Sequence, residues 1–192
     1  MTDNIDKYNK GNATVKNGAD DQKSDKTDNL ENNIEDNERK MVDVIIPTYR
    51  PAKEFGELLH RLEKQEYRPN RILVMNTGKE YWNSEWENYP LLEVHHLDQK
   101  DFDHGGTRKR AAELSTSDIM VFMTQDALPA DRKMIGNLVR AVSRNSGTGA
   151  AYARQLPKAD CRFLERYTRS FNYPEQSSVK SLPDVETYGI KT

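Results

Sequence analysis

The sequence has little of several features that would assign it to a specialised class of protein. It carries one cysteine, Cys161, so no disulfide can form within the chain. Its 29 basic and 31 acidic residues nearly balance, which argues against the basic stripe of a nucleic-acid-binding protein. No apolar run approaches the roughly 20 residues that span a bilayer, and the N-terminus lacks the pattern of a secretory signal peptide. We therefore expect a cytoplasmic protein without a nucleic-acid partner.

Residues 1–40 differ in composition from the rest of the chain. They are rich in Asn, Asp and Lys and hold one aromatic residue, Tyr8, among scattered aliphatic residues. Such a segment cannot bury enough apolar surface to offset the entropy lost on ordering it. We expect a disordered polar tail at 1–40, or alternatively an interaction helix within it, and one folded domain at 41–192.

Short apolar runs alternate with helical periodicity through this domain. The runs "VDVIIP", "RILVM", "LLEVHHL" and "DIMVFM" predict four strands, of which the first two are expected to be buried. A helix is predicted from apolar residues that recur on one helical face, namely Phe55, Leu58, Leu59 and Leu62. Two more helices are predicted, one at "TRKRAAELS" that begins with Gly105 and Gly106, and one after Asp131. This alternation predicts an α/β fold with a mainly parallel sheet and helices on both faces.

Polar clusters follow three of the predicted strands, as "PTYR", "NTGK" and "TQDA". In open parallel sheets, ligands bind beyond the carboxyl ends of the strands. Neither a P-loop nor the dinucleotide-binding glycine pattern occurs after the first strand, so the usual backbone cradles for phosphates are absent. The missing glycine-rich basic signature also disfavours a nucleotidyltransferase. Other groups must therefore hold whatever binds at these strand ends.

Asp126 stands directly after the fourth predicted strand. A carboxylate there is commonly a helix N-cap or a turn residue. Alternatively it binds Mg²⁺ or Mn²⁺, which take one or two protein oxygens and fill the remaining positions with phosphate and water. Gln125 can hydrogen-bond a ribose or phosphate, and Tyr49 offers a ring face to a base. Arg50 and Arg108 offer charge-assisted hydrogen bonds to phosphate.

Four motifs, in order "VIIPTYR", "DFDHGGTRKRAAELS", "MVFMTQDALP" and "YARQLPKADCRFLERYTRSFNYP", resemble the family 2 glycosyltransferases of the GT-A fold, in particular the bacterial rhamnosyltransferases. The resemblance runs from about Val42 to Thr192. It implies that Asp126 is the metal ligand of a degenerate DxD motif, with Mg²⁺ or Mn²⁺ as cofactor. Together with the chemistry above, it gives the expected nucleotide-sugar-binding residues as Pro47, Thr48, Tyr49, Arg50, Asn76, Arg108, Gln125 and Asp126.

The resemblance also implies a reaction. An acceptor hydroxyl attacks the anomeric carbon of a nucleotide-activated sugar, such as dTDP-rhamnose or a UDP-sugar, with inversion. The implied acceptor is a glycan or a lipid-linked precursor of surface polysaccharide, which suggests a cytoplasmic enzyme or one peripheral to the inner face of the membrane. Asn76 departs from the acid found in many members, but it can still hydrogen-bond a base or ribose. Lys109 replaces an asparagine and is expected to be a solvated helix lysine.

Two histidine-containing segments need separate interpretation. "DFDHGG" is expected to form a loop over the donor site, with Gly105 and Gly106 permitting a tight turn, rather than a metal cluster. His95 and His96 should point to opposite faces of a strand, so they cannot readily share a ligand.

The last part of the sequence raises two further expectations. Resembling enzymes continue past "SLPDVETYGIKT" into an acceptor half, so we expect the general base beyond Thr192, an incomplete domain, and apolar surface that a protein partner covers. The alternative is a catalytically silent nucleotide-sugar-binding fragment or a subunit of a split transferase. "CRFLERYTRSFNYP" predicts a core-facing helix with a basic solvated side, or alternatively a helix that rests on anionic lipid.

Overall fold

Alternating strands and helices make up the folded part of the chain. The computed structural model describes residues 39–158 and 160–188, and the described residues from Lys40 onward belong to one compact unit. The predicted tail lies outside the described residues except for Arg39 and Lys40. The strands are β1 (Val42–Tyr49), β2 (Arg71–Thr77), β3 (Leu92–Leu97) and β4 (Ile119–Phe122). The helices are α1 (Glu54–Glu63), α2 (His104–Leu114), α3 (Met134–Ser143), α4 (Phe163–Asn172) and α5 (Val185–Tyr188).

The four strands form one sheet in the order β3-β2-β1-β4, and every neighbouring pair is parallel. The register places Thr48 of β1 beside Asn76 of β2, and Asn76 beside His96 of β3. The predicted α/β class with a parallel sheet is therefore confirmed. All four strands also end at the same edge of the sheet, where the polar clusters follow.

Side chains alternate between the two faces of the sheet, and each face carries its own core. On one face, Val44, Ile46 and Val74 pack with the apolar side of α1 and with Ile135 and Val139 of α3. On the other face, Ile45, Leu73, Met75 and Leu97 pack with Ala111 of α2. The predicted apolar face of α1 is confirmed, because Phe55, Leu58, Leu59 and Leu62 are all buried. Burial of this kind contributes roughly 25 cal/mol per Å² of apolar surface.

An ionic cluster closes the opposite, amino-terminal edge of the sheet. The carboxylate of Asp43 is fully buried and accepts hydrogen bonds from Arg71 at 2.9 Å and from the Ser115 hydroxyl at 2.7 Å. Arg71 also donates to Glu93 at 3.0 Å, and His95 lies 2.7 Å from the other oxygen of Glu93. Burial raises the pKa of Asp43, but the hydrogen bonds, led by that of Arg71, outweigh it and hold the pKa below its ordinary value.

Apolar side chains are left exposed on β4 and on α4. Met120 and Phe122 lie on the α2 side of edge strand β4, and the Phe122 side chain is 46% exposed. Helix α4 forms where predicted, but the prediction that it faces the core is wrong. Its apolar residues Phe163, Leu164, Tyr167 and Phe171 are all strongly exposed, because none of them joins the apolar clusters of the described residues.

Within residues 39–158 and 160–188, no helix is long and apolar enough to cross a membrane.

Candidate functional site

The site predicted from the sequence lies at the carboxyl edge of the sheet. Pro47 is half-buried opposite Met75, and Thr48 is buried one position further along β1. Tyr49 ends the strand and is partly exposed, and Arg50 follows in a left-handed backbone conformation with φ of 46°. Residues from the ends of three strands and from the loop after β4 thus converge on one side of the molecule.

A hydrogen-bond network connects the ends of β1, β2 and β3. The Thr48 hydroxyl donates to Asn76 Oδ1 at 2.9 Å. Asn76 Nδ2 in turn lies 3.3 Å from the Gly78 carbonyl oxygen and 3.0 Å from His96 Nδ1. Asn76 is completely buried, and its amide is engaged with protein groups on every side. The predicted contact of Asn76 with a base or ribose therefore stays a prediction, because here its side chain joins three strands.

His96 was not among the expected site residues. Burial lowers its pKa below the ordinary value, the nearby positive charge of Lys79 lowers it further, and Glu87 opposes both effects. The ring also meets the edge of Trp82, with centroids 5.9 Å apart. The Gly78 carbonyl can only accept, so the Asn76 atom facing it is the amino group. The same amino group faces His96 Nδ1, which must then be the unprotonated, accepting nitrogen of a neutral ring.

The side chain of Gln125 attaches the loop after β4 to the end of β1. Its Oε1 accepts from the backbone N–H of Tyr49 at 2.8 Å, and its Nε2 donates to the Tyr49 carbonyl at 3.1 Å. Both polar groups of Gln125 therefore contact Tyr49 rather than being directed freely at a ligand. This attachment fixes the position of the next residue, Asp126, relative to β1.

Asp126 is exposed in the turn that follows Gln125. Among the described residues, no hydrogen bond or ion pair engages its carboxylate, and the turn is closed by the backbone bond from Ala127 to Thr124 at 3.2 Å. It is therefore neither an N-cap nor a side-chain turn residue in this part of the chain. No group of three or more His, Cys, Asp or Glu side chains within the described ranges is arranged to hold a metal ion. One free carboxylate suits a cation whose other ligands are phosphate and water.

Arg50 lies against two tyrosine rings. Its guanidinium carbon is 4.4 Å from the ring centroid of Tyr81 and 5.1 Å from that of Tyr49, and its Nη2 donates to the Tyr81 hydroxyl at 2.7 Å. Tyr81 was missed by the sequence analysis. It lies in a 3₁₀ helix, Lys79–Tyr81, which begins after Gly78 with φ of 82°. The glycine in "NTGKEY" signals a turn, but nothing in the sequence indicates that the turn returns to Arg50.

The segment "DFDHGG" begins helix α2, so the predicted loop over the donor site is wrong. Asp103 is the N-cap, and its carboxylate accepts from the backbone N–H groups of Gly105 and Gly106 at 2.9–3.0 Å. Hydrogen bonds from Gly106 and Gly105 lower the pKa of Asp103. A Cβ on Gly106 would lie 2.1 Å from Asp103 Oδ2, so the cap needs a residue without a side chain.

Helix α2 also carries Arg108, which is half-buried and donates from Nη1 to the carbonyl of His104 at 2.9 Å. The helix packs against β1 and β2, so Arg108 lies on the layer that covers this part of the sheet. Lys109 is exposed and lies 3.9 Å from Glu113, one turn along the helix. His95 and His96 have separate partners on opposite faces of β3, as predicted.

Comparison with known proteins gives consistent results over most of the chain. The family model described as glycosyl transferase family 2 matches residues 43–190. The O-antigen chain rhamnosyltransferase RfbN of Salmonella typhimurium is 37% identical over 158 residues, which are 79% of this chain and 48% of that protein. The O-antigen chain rhamnosyltransferase WbaN of Salmonella anatum is 28% identical over 151 residues, 78% of this chain and 48% of that protein. The chain thus spans about half the length of the curated relatives it matches.

Solved structures give weaker matches. A crystal structure of S. aureus TarS 1-349 is 17% identical with a TM-score of 0.46, covering 62% of this chain and 40% of that one. The mannosyltransferase PcManGT from Pyrobaculum calidifontis, in complex with GDP-Man and Mn²⁺, is 24% identical with a TM-score of 0.45. That match covers 54% of this chain and 32% of the other.

Proposed function

This chain belongs to glycosyl transferase family 2, and we propose that the carboxyl edge of its sheet binds a nucleotide-diphosphate sugar for transfer to a surface glycan. The observation that carries the proposal is the attachment of Gln125 to Tyr49. It holds a free carboxylate, Asp126, next to an aromatic residue and an arginine. A nucleotide diphosphate offers a base, a ribose and two phosphates, which are the partners that such groups bind.

Each of the predicted residues has a role toward one part of the nucleotide sugar in this proposal. The ring of Tyr49 packs against the base, while Arg50 and Arg108 neutralise the diphosphate. Pro47, Thr48 and Asn76 form the floor of the pocket, and Gln125 holds the loop that carries Asp126. The identity of RfbN and WbaN as O-antigen chain rhamnosyltransferases supports rhamnose as the sugar and an O-antigen-type glycan or its lipid-linked precursor as the acceptor. The donor is then dTDP-rhamnose, or alternatively a UDP-sugar.

Asp126 fits a divalent cation because its carboxylate is exposed and unpaired among the described side chains. Mg²⁺ or Mn²⁺ held there would supply neutralisation of charge on the departing diphosphate. The chain's own contribution is to bind the donor and to orient its anomeric carbon toward the acceptor. In an inverting displacement, the acceptor oxygen forms a bond to that carbon while the bond to the diphosphate oxygen breaks. The acceptor proton passes to a general base, which we propose is supplied by a polypeptide equivalent to the unmatched half of the relatives.

The exposed apolar surface supports a further part of the proposal. Phe122 on β4 and the α4 residues Phe163, Leu164, Tyr167 and Phe171 lie uncovered within one compact unit. The α4 residues share one face of the helix, and an exposed apolar face of this kind marks an interaction surface. We propose that a polypeptide equivalent to the unmatched half of the relatives covers it and completes the acceptor site. The second candidate function, binding of the nucleotide sugar without transfer, applies to the chain when this surface is uncovered.

A cytoplasmic location, or a peripheral one at the inner face of the membrane, follows from the same proposal, because nucleotide sugars and lipid-linked acceptors meet there. Arg162, Arg166 and Arg169 are interleaved with the apolar residues of α4, which suits a surface near anionic lipid.

Calorimetry with dTDP-rhamnose and UDP-glucose, with and without Mn²⁺, tests donor binding. We expect metal-dependent binding to the wild-type chain and loss of roughly tenfold or more of the metal-dependent affinity in Asp126→Asn. Asp131→Asn is the matched control, because Asp131 lies in the same loop but bonds the backbone N–H of Lys133, which an asparagine oxygen can also accept. A folded wild-type chain that binds neither nucleotide sugar would overturn the proposed function.

The partner is tested separately by adding the unmatched part of RfbN to this chain. We expect a one-to-one complex in sedimentation analysis and transfer of the sugar only by that complex. The double variant Phe163→Ser, Phe171→Ser should abolish the complex while leaving calorimetric donor binding intact. Transfer by the isolated chain, or an unaffected complex in the double variant, contradicts this part of the proposal.

A further inference from the structure

The network at the strand ends leaves Asn76 with little capacity to bind a ligand directly. Its amino group has two N–H donors, and these face the Gly78 carbonyl and His96 Nδ1. Its oxygen accepts from Thr48, and the whole side chain is buried. The residue therefore does its work by holding other parts of the edge together.

The groups held by Asn76 surround the candidate pocket. Thr48 directly precedes Tyr49 in β1. Its hydrogen bond to Asn76 therefore holds the end of the strand from which the exposed Tyr49 ring extends. Gly78 begins the 3₁₀ helix that carries Tyr81, which contacts Arg50. One buried amide thus connects the residue that precedes Tyr49 with the residue that precedes the helix of Tyr81.

The Gly78 carbonyl and an acceptor at His96 together favour one orientation of that amide. If the amide were rotated by half a turn, its oxygen would face the Gly78 carbonyl oxygen, and the two acceptors would repel each other. A neutral His96 with an unprotonated Nδ1 stabilises the observed orientation. A protonated His96 would place an N–H opposite the Asn76 amino group, so two donors would meet in a buried place.

We propose that His96 is a positioning residue for the nucleotide-sugar pocket, which acts by fixing the Asn76 amide and through it the two tyrosines that flank Arg50. This inference rests on the proposed function and goes one step beyond it, because it makes donor binding depend on the charge of a residue that does not touch the donor. Donor affinity falls as His96 becomes protonated.

The charges around His96 support a neutral ring at neutral pH. Lys79, in the 3₁₀ helix above it, disfavours the imidazolium, and Glu87 of the next 3₁₀ helix partly compensates. Trp82 covers the ring edge. On the opposite face of β3, His95 is paired with Glu93. Burial and Lys79 together place the pKa of His96 below its ordinary value, so the accepting form predominates at pH 7.

Two substitutions separate the role of the acceptor from that of the ring. Asparagine places its Oδ1 close to where histidine has Nδ1 and does not titrate, so His96→Asn keeps the acceptor without the pH dependence. His96→Leu removes the acceptor. His95→Asn is the matched control, because it makes the same change on the neighbouring residue of the same strand but on the other face.

The experiment combines nitrogen NMR of the imidazole with calorimetry of dTDP-rhamnose and UDP-glucose, whose diphosphates do not titrate between about pH 5 and 8. NMR should show a neutral His96 protonated at Nε2 at pH 7 and give its pKa. Wild-type affinity should fall about tenfold as the pH drops through that pKa. His96→Asn should bind like wild type at pH 7 without this fall, and His96→Leu should bind about tenfold more weakly at all pH values.

Each outcome has one meaning. A ring protonated at Nδ1 at pH 7, or the same pH profile in His96→Asn as in wild type, overturns the role of His96. Normal binding by His96→Leu does the same. If folded wild-type protein binds no nucleotide sugar at any pH, the proposed function itself fails and His96 has no such role.

Discussion

The side-chain amide of Gln125 pairs with the backbone of Tyr49 as a neighbouring strand would, accepting from its N–H at 2.8 Å and donating to its carbonyl at 3.1 Å. Strand β4 ends at Phe122, three residues earlier, so the side chain extends the pairing of β1 beyond the last backbone bridge. A single side chain therefore fixes the distance between the end of β1 and the turn that carries Asp126.

Replacing Gln125 with alanine should weaken both the fold and the site. We expect Gln125→Ala to lower the free energy of unfolding by about 1 kcal/mol, because two partly exposed hydrogen bonds are lost. Metal-dependent donor affinity should fall further than stability alone explains, because Asp126 loses its attachment to β1. Urea denaturation and calorimetry measure the two effects. Gln99→Ala is the control, since Gln99 is exposed at the same edge of the sheet. Equal donor affinity in the two variants would contradict the prediction.

Tyr81 should contribute to donor binding through Arg50. Tyr81→Ala removes both the ring and the hydroxyl that contact the guanidinium, and we expect roughly a tenfold loss of donor affinity. Tyr81→Phe keeps the ring and should lose less. Calorimetric titration with dTDP-rhamnose measures both variants. Tyr89→Phe is a suitable control because it deletes a hydroxyl that donates to the Gly56 carbonyl at 3.2 Å on helix α1. If Tyr81→Ala and Tyr89→Phe bind dTDP-rhamnose with equal affinity, the contacts of Arg50 with Tyr81 do not contribute to donor binding.

The buried carboxylate of Asp43 should make stability depend on pH in the acid range. Its pKa is lower in the folded protein than in the unfolded chain, so its stabilisation is complete above the unfolded value of about 3.9. That stabilisation is lost as the pH falls through the lower, folded value. We expect Asp43→Asn to cost about 1.5–3 kcal/mol at pH 7, because the charge-assisted hydrogen bonds to Asp43 are weakened while the partly exposed Arg71 keeps its ion pair with Glu93. Urea denaturation at several pH values measures this.

An exposed ion pair on α1 provides the control for the effect of Asp43 on stability. Glu57→Gln removes an exposed ion pair with Arg61, one turn apart on α1, and should change stability far less. The acid sensitivity should shrink in Asp43→Asn and persist in Glu57→Gln. Similar urea midpoints for the two variants at pH 7 would show that the Asp43 cluster is not a major source of stability.

The two glycines at the start of α2 should respond differently to alanine. A Cβ on Gly105 has only an ordinary contact at 3.6 Å, so Gly105→Ala should stabilise the protein by about 0.5–1 kcal/mol through lower backbone entropy in the unfolded chain. Gly106→Ala should not share this gain, because its Cβ displaces the Asp103 carboxylate from the cap. Thermal unfolding compares them. In an Asp103→Ala background the difference between the two variants should disappear, and its persistence would exclude the cap as the cause.

Sequence patterns predicted the elements of this fold better than the contacts between them. The apolar run of β1 and the spacing of Phe55, Leu58 and Leu62 follow from local periodicity, which the sequence displays directly. The pairing of Asn76 with His96 depends on the register of two strands, and that of Gln125 with Tyr49 joins residues 76 positions apart. Neither the register of two paired strands nor the contact of a loop with a distant strand can be predicted from a short stretch of sequence. The site residues were therefore named more easily than their partners.

Two errors have physical causes of the same kind. "DFDHGG" was interpreted as a loop because two adjacent glycines permit a tight turn, yet Asp103 caps a helix there and its carboxylate requires a residue without a side chain at Gly106. Helix α4 was assigned to the core because its apolar residues share one face, yet periodicity gives the face and not what covers it. Both errors concern contacts between residues that local sequence patterns do not specify.

The strand order 3-2-1-4 has a consequence for how the site tolerates change. The order reverses between β1 and β4, since β2 and β3 lie to one side of β1 and β4 to the other. In open α/β sheets, the chain leaves such a point in two directions and a crevice opens between the departing loops. The switch point here is produced by the winding of the backbone, and the hydrogen bonds of Gln125 to Tyr49 join its two sides. Asp126 and Arg50 lie beside this switch point and outside both apolar clusters, so substitutions at these two positions should alter the proposed site while leaving the core unchanged.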